Sequence, residues 1–409
     1  MLQRSPDYPA EAPAISRRAK DVRPSGTSLA QIAAMSIELN RRDIADFTIG
    51  EIGLPLDDVM AHAAAEAVRA GHARYTDTLG LPELRQEVAG LFSAQTGMPW
   101  SYEEVALGGG AKSGLYFLSL ILLDPGDEII IPRPHWQTFP KQIEMAGGRP
   151  VLVAHRNDGQ LDTRAIAAAV SPRTRAIIIN TPNNPTGAVY SKESLRKIAD
   201  IAQERNIWII FDQCYQMYTY EENRHHNIIS VMPEVRGRTI LVDSFSKALG
   251  VAGWRLGYVG APREIITKIR AYQSHITSCP NVFAQHAVLR ALTDGVGPLQ
   301  SRCRAHLERN RELGLAILGE ARGIQLSPAQ GGFYFYLDVS LLLGRTCRGR
   351  RIDTVDQLAE LLVAEAQAAT VPGTAFSDPA AIRICYAGAA AALDSGLTRI
   401  VGLINNHMS

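Results

Sequence analysis

Cysteine is scarce in this chain. Its 409 residues include five, Cys214, Cys279, Cys303, Cys347 and Cys385, and no two form a CxxC pair. An odd number without paired spacing argues against a disulfide framework and fits free thiols in a reducing compartment. An excess of charge of either sign is also missing: 42 Lys and Arg stand against 41 Asp and Glu, for a formal charge of +1. Nothing global therefore attracts nucleic acid or an anionic membrane. No run is long and apolar enough to span a membrane. Residues 1–23 mix Pro, Ala, Arg and Asp without an apolar centre, which excludes a signal peptide. The expectation is a cytoplasmic protein with neither nucleic-acid nor membrane partners.

What is present is a long chain with the apolar and charged fractions of a globular protein, 46% and 20%. Its length exceeds what one hydrophobic core usually covers, so two domains are expected. The expected division is an N-terminal arm (1–24), the first part of a small domain (25–56), a large domain (57–297) and the rest of the small domain (298–409). Helices are expected over 28–42, 57–70, 81–96, 298–318 and 354–369, and a short strand over 46–49. Between them lie short apolar runs at 105–107, 128–131, 150–153, 176–179, 208–211, 240–242 and 257–259. Unbroken apolar strands alternating with helices predict an α/β fold, a mostly parallel seven-stranded sheet covered on both faces. Strands at 332–337 and 381–386 would belong to a smaller α+β domain. The basic run Arg345-Thr346-Cys347-Arg348-Gly349-Arg350-Arg351 reads as a solvated loop, or as a seat for an acidic group.

In such sheets ligands bind beyond the carboxyl ends of the strands, and the chain's motifs fall there. The chain is organised around Asp243-Ser244-Phe245-Ser246-Lys247 and the following Gly253-Trp254-Arg255. Alone, this reads as a surface lysine and a structural arginine. A buried lysine, however, is easier to deprotonate and use as a nucleophile. Hydroxyls and an arginine beside it suit a phosphate. An amine next to a phosphate seat is what pyridoxal phosphate requires, because that cofactor is held on lysine.

The neighbouring loops add to this. Gly108-Gly109-Gly110-Ala111-Lys112 follows one strand and opens a helix, and backbone amides at a helix N-terminus bind phosphate. Pro134-His135-Trp136 follows the next, with a Trp that packs in a core or stacks on a flat ring. Asn183-Asn184-Pro185-Thr186-Gly187 would pass for an ordinary turn. Asp212-Gln213-Cys214-Tyr215 would pass for a helix cap. Asp, Tyr and Lys in successive strand-end loops are harder to dismiss. The pyridine nitrogen of the cofactor needs an anion, and its phenolic oxygen needs donors.

Taken together, the segments resemble the class I/II aminotransferases, fold type I enzymes dependent on pyridoxal 5'-phosphate. The resemblance runs from about residue 23 to the C-terminus and includes Tyr75-Thr76-Asp77-Thr78-Leu79-Gly80-Leu81-Pro82. It implies a transaminase that moves an amino group between an L-amino acid and a 2-oxo acid. Lys247 would form the Schiff base and shuttle the proton, with pyridoxamine phosphate as the intermediate. Asp212 would pair with the pyridine nitrogen, and Tyr215 and Asn184 would donate to the phenolic oxygen. Trp136 would stack on the ring. Gly110, Ala111, Lys112, Ser244 and Arg255 would form the phosphate region. Tyr75 would reach the neighbouring subunit's cofactor, which implies a homodimer with shared sites. Arg383 would clamp the substrate α-carboxylate, with Gly50, Asn184 and Trp136 beside it. The resemblance implies no metal.

The chain also departs from that pattern. Many relatives carry Gly-Glu-Pro-Asp-Phe where this chain has Gly50-Glu51-Ile52-Gly53-Leu54-Pro55, and Gln213-Cys214 replaces the frequent Glu-Ile or Glu-Ala. His225-His226 is an unusual pair; adjacent histidines do not face one site in regular structure. Pro24-Ser25-Gly26-Thr27 and Lys112 resemble positions that bacterial aspartate and prephenate aminotransferases use for a distal carboxylate. Rival reactions on the same scaffold are amino acid oxidation, β-elimination and decarboxylation. A regulator that binds the cofactor without turnover is a further alternative, though the chain has no DNA-binding extension.

Overall fold

The structure, a computed structural model, describes residues 14–26 and 44–408. The helix expected over 28–42 lies outside the described residues, as do residues 1–13 of the expected arm. The first strand, β1 (Ala45–Asp46), is shorter than expected. Asp46 Oδ1 accepts from the Thr48 amide at 2.8 Å and from its hydroxyl at 2.6 Å. Such local bonding competes with a strand ladder, so the strand ends at Asp46.

The apolar runs form β2 (Val105–Gly108), β3 (Glu128–Arg133), β4 (Arg149–Ala154), β5 (Thr174–Asn180), β6 (Trp208–Asp212), β7 (Thr239–Ser244) and β8 (Gly257–Gly260). They make one seven-stranded sheet in the order β2-β8-β7-β6-β5-β3-β4. β8 is antiparallel to both neighbours, and the remaining pairings are parallel. Successive side chains enter different cores. Ile177, Ile179, Ile209, Phe211 and Leu241 pack on one face, and Ile178, Ile210, Ile240 and Val242 on the other. Because both faces are buried, the middles of these strands are unbroken apolar runs, with polar residues only toward their ends.

Helix boundaries follow local chemistry. The Asp57 carboxylate caps Asp58–Arg69 by accepting from the Val59 amide at 2.9 Å. Pro82–Thr96 starts on its proline and stops at Gly97, whose φ of 71° is left-handed. The long polar helix runs over Gly297–Leu318.

Further along the chain come β9 (Gln325–Leu326), β10 (Tyr334–Asp338), β11 (Thr346–Cys347), β12 (Arg350–Arg351), β13 (Ala368–Ala369), β14 (Val371–Pro372) and β15 (Ala381–Cys385). A four-stranded antiparallel sheet has the order β14-β15-β10-β9. β13 pairs in parallel with β1, tying the chain's early segment to its C-terminal part. Here two expectations are corrected. The helix expected to 369 ends at Ala366, because Gln367 adopts φ 50° and the chain then joins β1. The basic run is a hairpin, β11 with β12, rather than a loop. Arg348 pairs with Glu365 at 2.6 Å, Arg350 with Glu360 at 2.8 Å and Arg351 with Asp353 at 2.7 Å. No described helix is long and apolar enough to cross a membrane.

Candidate active site

A cavity of about 520 Å³ opens where β5, β6 and β7 end, lined there by Asn180, Asp212 and Ser244. Lys247 sits on the one-turn helix Phe245–Ala248, which Ser244 caps by accepting from the Ser246 amide at 3.0 Å. Its ammonium donates to the Gly50 carbonyl at 2.6 Å. Burial lowers its pKa from the usual lysine value, and the nearby Glu51 opposes that in part. Desolvation thus favours the neutral, nucleophilic amine.

Asp212 is buried, and its Oδ1 accepts from the Cys214 amide at 3.1 Å. No cation pairs with it among the described residues, and burial pushes its pKa up to about 6. A buried carboxylate without a cation is costly; it fits a positively charged ring nitrogen. Tyr215 and Asn184 line the same cavity. Burial also pushes the Tyr215 phenol well up.

The helix Ala111–Leu122 points its N-terminus at the cavity, where Ala111 and Lys112 are lining residues. Gly110 caps it at φ 82°, and a Cβ there would stand 2.6 Å from Arg255 Nη2. The left-handed φ is what requires glycine. Free amides, Arg255 and Ser244 thus form a cradle shaped for an anion. The Lys112 ammonium lies 5.1 Å from the centroid of the Trp136 ring. Burial lowers its pKa, and Arg255 adds to the effect.

Arg383 projects from β15 and is 2% exposed. It donates to Asn184 Oδ1 at 3.1 Å and to the Thr48 carbonyl at 2.7 Å, while its Nε has no partner. A buried guanidinium with an idle donor facing no protein acceptor fits a missing carboxylate.

This arrangement matches known proteins along nearly the whole chain. The model of the family described as aminotransferase class I and II covers residues 42–400. The chain belongs to that family. A probable aspartate/prephenate aminotransferase of Aquifex aeolicus is 33% identical over 94% of this chain and 97% of that protein. An aspartate aminotransferase of Geobacillus stearothermophilus is 32% identical over 94% and 98%. Among solved structures, the aspartate aminotransferase from Rhizobium meliloti superposes with a TM-score of 0.92 at 30% identity, covering 97% of this chain and all of that one. The Thermus thermophilus enzyme with maleate gives 0.89 at 31% identity. This is a pyridoxal 5'-phosphate-dependent transaminase of fold type I. The uncompensated Asp212, the part-buried Lys247 and the Gly110 cradle fit that cofactor.

Of the residues expected at the aminotransferase site, Gly50, Ala111, Lys112, Trp136, Asn184, Asp212, Tyr215, Ser244, Lys247, Arg255 and Arg383 line one cavity. Gly110 stands behind it against Arg255. Tyr75 is not brought there: it is 83% exposed and outside the lining. Ser25 lines the cavity and the Gly26 amide donates to Gln137 at 2.6 Å, whereas Thr27 lies outside the described residues. Ile52 of the divergent 50–55 loop is a core residue, and Gly53 lies against Gly388. His225 packs on Phe211 and is pushed down to about 3 by burial. Among the described residues no three His, Cys, Asp or Glu gather as metal ligands.

Sequence reasoning missed Asn180, Glu51, Cys214, Ser246 and Tyr334, all in the lining. Four of them adjoin assigned motifs, and that adjacency was the available signal. Tyr334 had none, since it sits within an apolar strand far from every motif.

Proposed function

We propose that this aminotransferase acts on a dicarboxylic amino acid of the aspartate type, with a 2-oxo acid as acceptor. The observation that carries this is Lys112, a cation in the cavity that also holds Arg383 and that is not needed for the Schiff-base role given to Lys247 or the phosphate role given to Arg255. Arg383 would take the α-carboxylate, and Lys112 with Ser25 would take the distal one. The printed names of the relatives, aspartate and aspartate/prephenate aminotransferases, support the same class.

The cofactor supplies an electron sink that acidifies the substrate Cα–H. Lys247 would hold it and, once displaced, its Nζ would take the Cα proton. Asp212 would keep the proton on the ring nitrogen, and Tyr215 and Asn184 would donate to the phenolic oxygen. Trp136 would pack on the ring. The amides of Ala111 and Lys112, with Ser244 and Arg255, would hold the phosphate, on the turn that Gly110 makes. Gly50, whose carbonyl accepts from Lys247, would move with the substrate.

A homodimer completes the reading, with the exposed Tyr75 reaching the other copy's site. The domain division 25–56 with 298–409, around 57–297, is proposed along with it; the pairing of β1 with β13 supports it. A cytoplasmic location suits the five free cysteines.

Substrate class is tested with a panel of amino acids and 2-oxo acids. Aspartate or glutamate should exceed neutral amino acids in kcat/KM, and Lys112→Ala should reduce that preference. Equal use of alanine and aspartate would remove the dicarboxylate reading. Ammonia or peroxide in place of amino transfer would point to the lyase or oxidase chemistry.

A further inference from the structure

Tyr334 stands where three parts of the site meet. It lies on β10, which pairs with β15, the strand of Arg383. Its hydroxyl is 2.9 Å from the Tyr215 hydroxyl. The Arg383 guanidinium lies 4.4 Å from the centroid of its ring, and 5.0 Å from that of Phe376. On a third side is Gly50, where a Cβ would overlap the Tyr334 hydroxyl and stand 3.2 Å from its Cζ. Gly50 is also the residue whose carbonyl receives the Lys247 ammonium.

We propose that Tyr334 is a positioning residue for both halves of the site: its ring seats Arg383, and its hydroxyl supports Tyr215 as a donor. This rests on the role proposed for Tyr215. The role proposed for Tyr215 sets the direction of the hydrogen bond: a Tyr215 hydroxyl that gives its proton to the cofactor accepts from Tyr334. The Tyr334 proton therefore goes to the Tyr215 oxygen, and the Tyr215 proton remains free for the cavity. A hydroxyl that accepts one bond is a stronger donor in the next. The ring does separate work. A guanidinium over an aromatic face is held by the ring's quadrupole without using any N–H. The ring therefore leaves the Nε–H of Arg383, which has no protein partner, for a carboxylate.

The two functions divide between two variants. Tyr334→Phe keeps the ring and removes the hydroxyl; Tyr334→Leu removes both. A donor to the cofactor's phenolic oxygen stabilises the form in which that oxygen is most negative, the deprotonated form. Losing the donor's support therefore raises the pH midpoint of the bound cofactor's absorbance change. The test titrates that absorbance in the loaded wild type, Tyr334→Phe, Tyr334→Leu and Tyr215→Phe, and measures KM for amino acid and melting temperature alongside.

We expect Tyr334→Phe to raise the midpoint by about half a pH unit, less than Tyr215→Phe does, with KM within about threefold. Tyr334→Leu should raise KM by about tenfold or more through the loose Arg383. If Tyr215→Phe moves the midpoint and Tyr334→Phe does not, the hydroxyl claim is wrong and the Tyr215 reading survives. If neither moves it, the Tyr215 role fails and takes this inference with it. If both Tyr334 variants shift KM and melting temperature alike, Tyr334 is a packing residue and the proposal is overturned.

Discussion

The Arg383 guanidinium donates to the Asn184 side-chain oxygen at 3.1 Å, although 199 residues separate them. The bond joins the antiparallel sheet to a strand-end loop of the seven-stranded one, across the cavity. It orients the fork so that a carboxylate meets paired donors. Arg383→Lys keeps the charge and loses that geometry. We expect kcat/KM for amino acids to fall by about 2 kcal/mol or more in transition-state binding, the scale of a charge-assisted hydrogen bond. Amines without a carboxylate should be much less affected. Equal losses for both substrate types would make Arg383 structural.

Asp212 concerns chemistry more than binding. Its charge is most useful when negative charge develops on the substrate carbon. Asp212→Ala should still bind the cofactor, seen by its absorbance, while kcat falls by at least about a hundredfold. Turnover near the wild-type rate in a loaded variant would end this assignment.

Two buried carboxylates give the cofactor-free protein a pH signature. Burial pushes Asp212 up to about 6 and Asp243 up to about 7, from an ordinary 3.8, with the Asp212 charge adding to the shift of Asp243. The folded state thus keeps protons that the unfolded state has released. The stability this represents is complete below about pH 4 and is lost as pH rises toward 7. Buried His155 and His225, held down to about 4 and about 3, act in the opposite sense as pH rises toward 6.5. The clean readout is therefore a difference. In urea unfolding without cofactor, Asp243→Asn should gain on the wild type from about pH 4 to about pH 7 and level off above that. A constant difference across that range would show that Asp243 does not titrate there.

Tyr75, 83% exposed in the single chain, is the residue proposed to cross the subunit boundary. Sedimentation should give a dimer. Tyr75→Ala should weaken cofactor retention, read by dialysis and absorbance, while leaving the melting temperature of the cofactor-free protein within a few degrees. A fully active monomer would contradict the shared-site reading.

Much of the seven-stranded sheet was legible because its central strands are buried on both faces and their middles are unbroken apolar runs. Lys247, Asp212 and Asn184 were legible only in company: each alone passes for a surface lysine, a helix cap or a turn, and their place at successive strand ends together carried the resemblance. The failures were local. Nothing in the residues before it marks Gln367 as the left-handed stop of a helix; the pairing of Ala368 and Ala369 with β1 requires it. The Arg345-to-Arg351 run looked free because its partners, Glu360 and Glu365, lie on a following helix.

By itself, then, the order of residues determined the strands, their crossovers and the loops that carry the lysine, the aspartate and the glycine cradle. These depend on periodicity and turn chemistry, which act over a few residues. Only the tertiary structure decided what meets across the cavity: Arg383 with Asn184, Lys247 with the Gly50 carbonyl, Tyr334 with Tyr215. Those pairs join segments more than a hundred residues apart. Their contact is set by how the two sheets pack, and that packing is a property of the whole core, which no local pattern encodes.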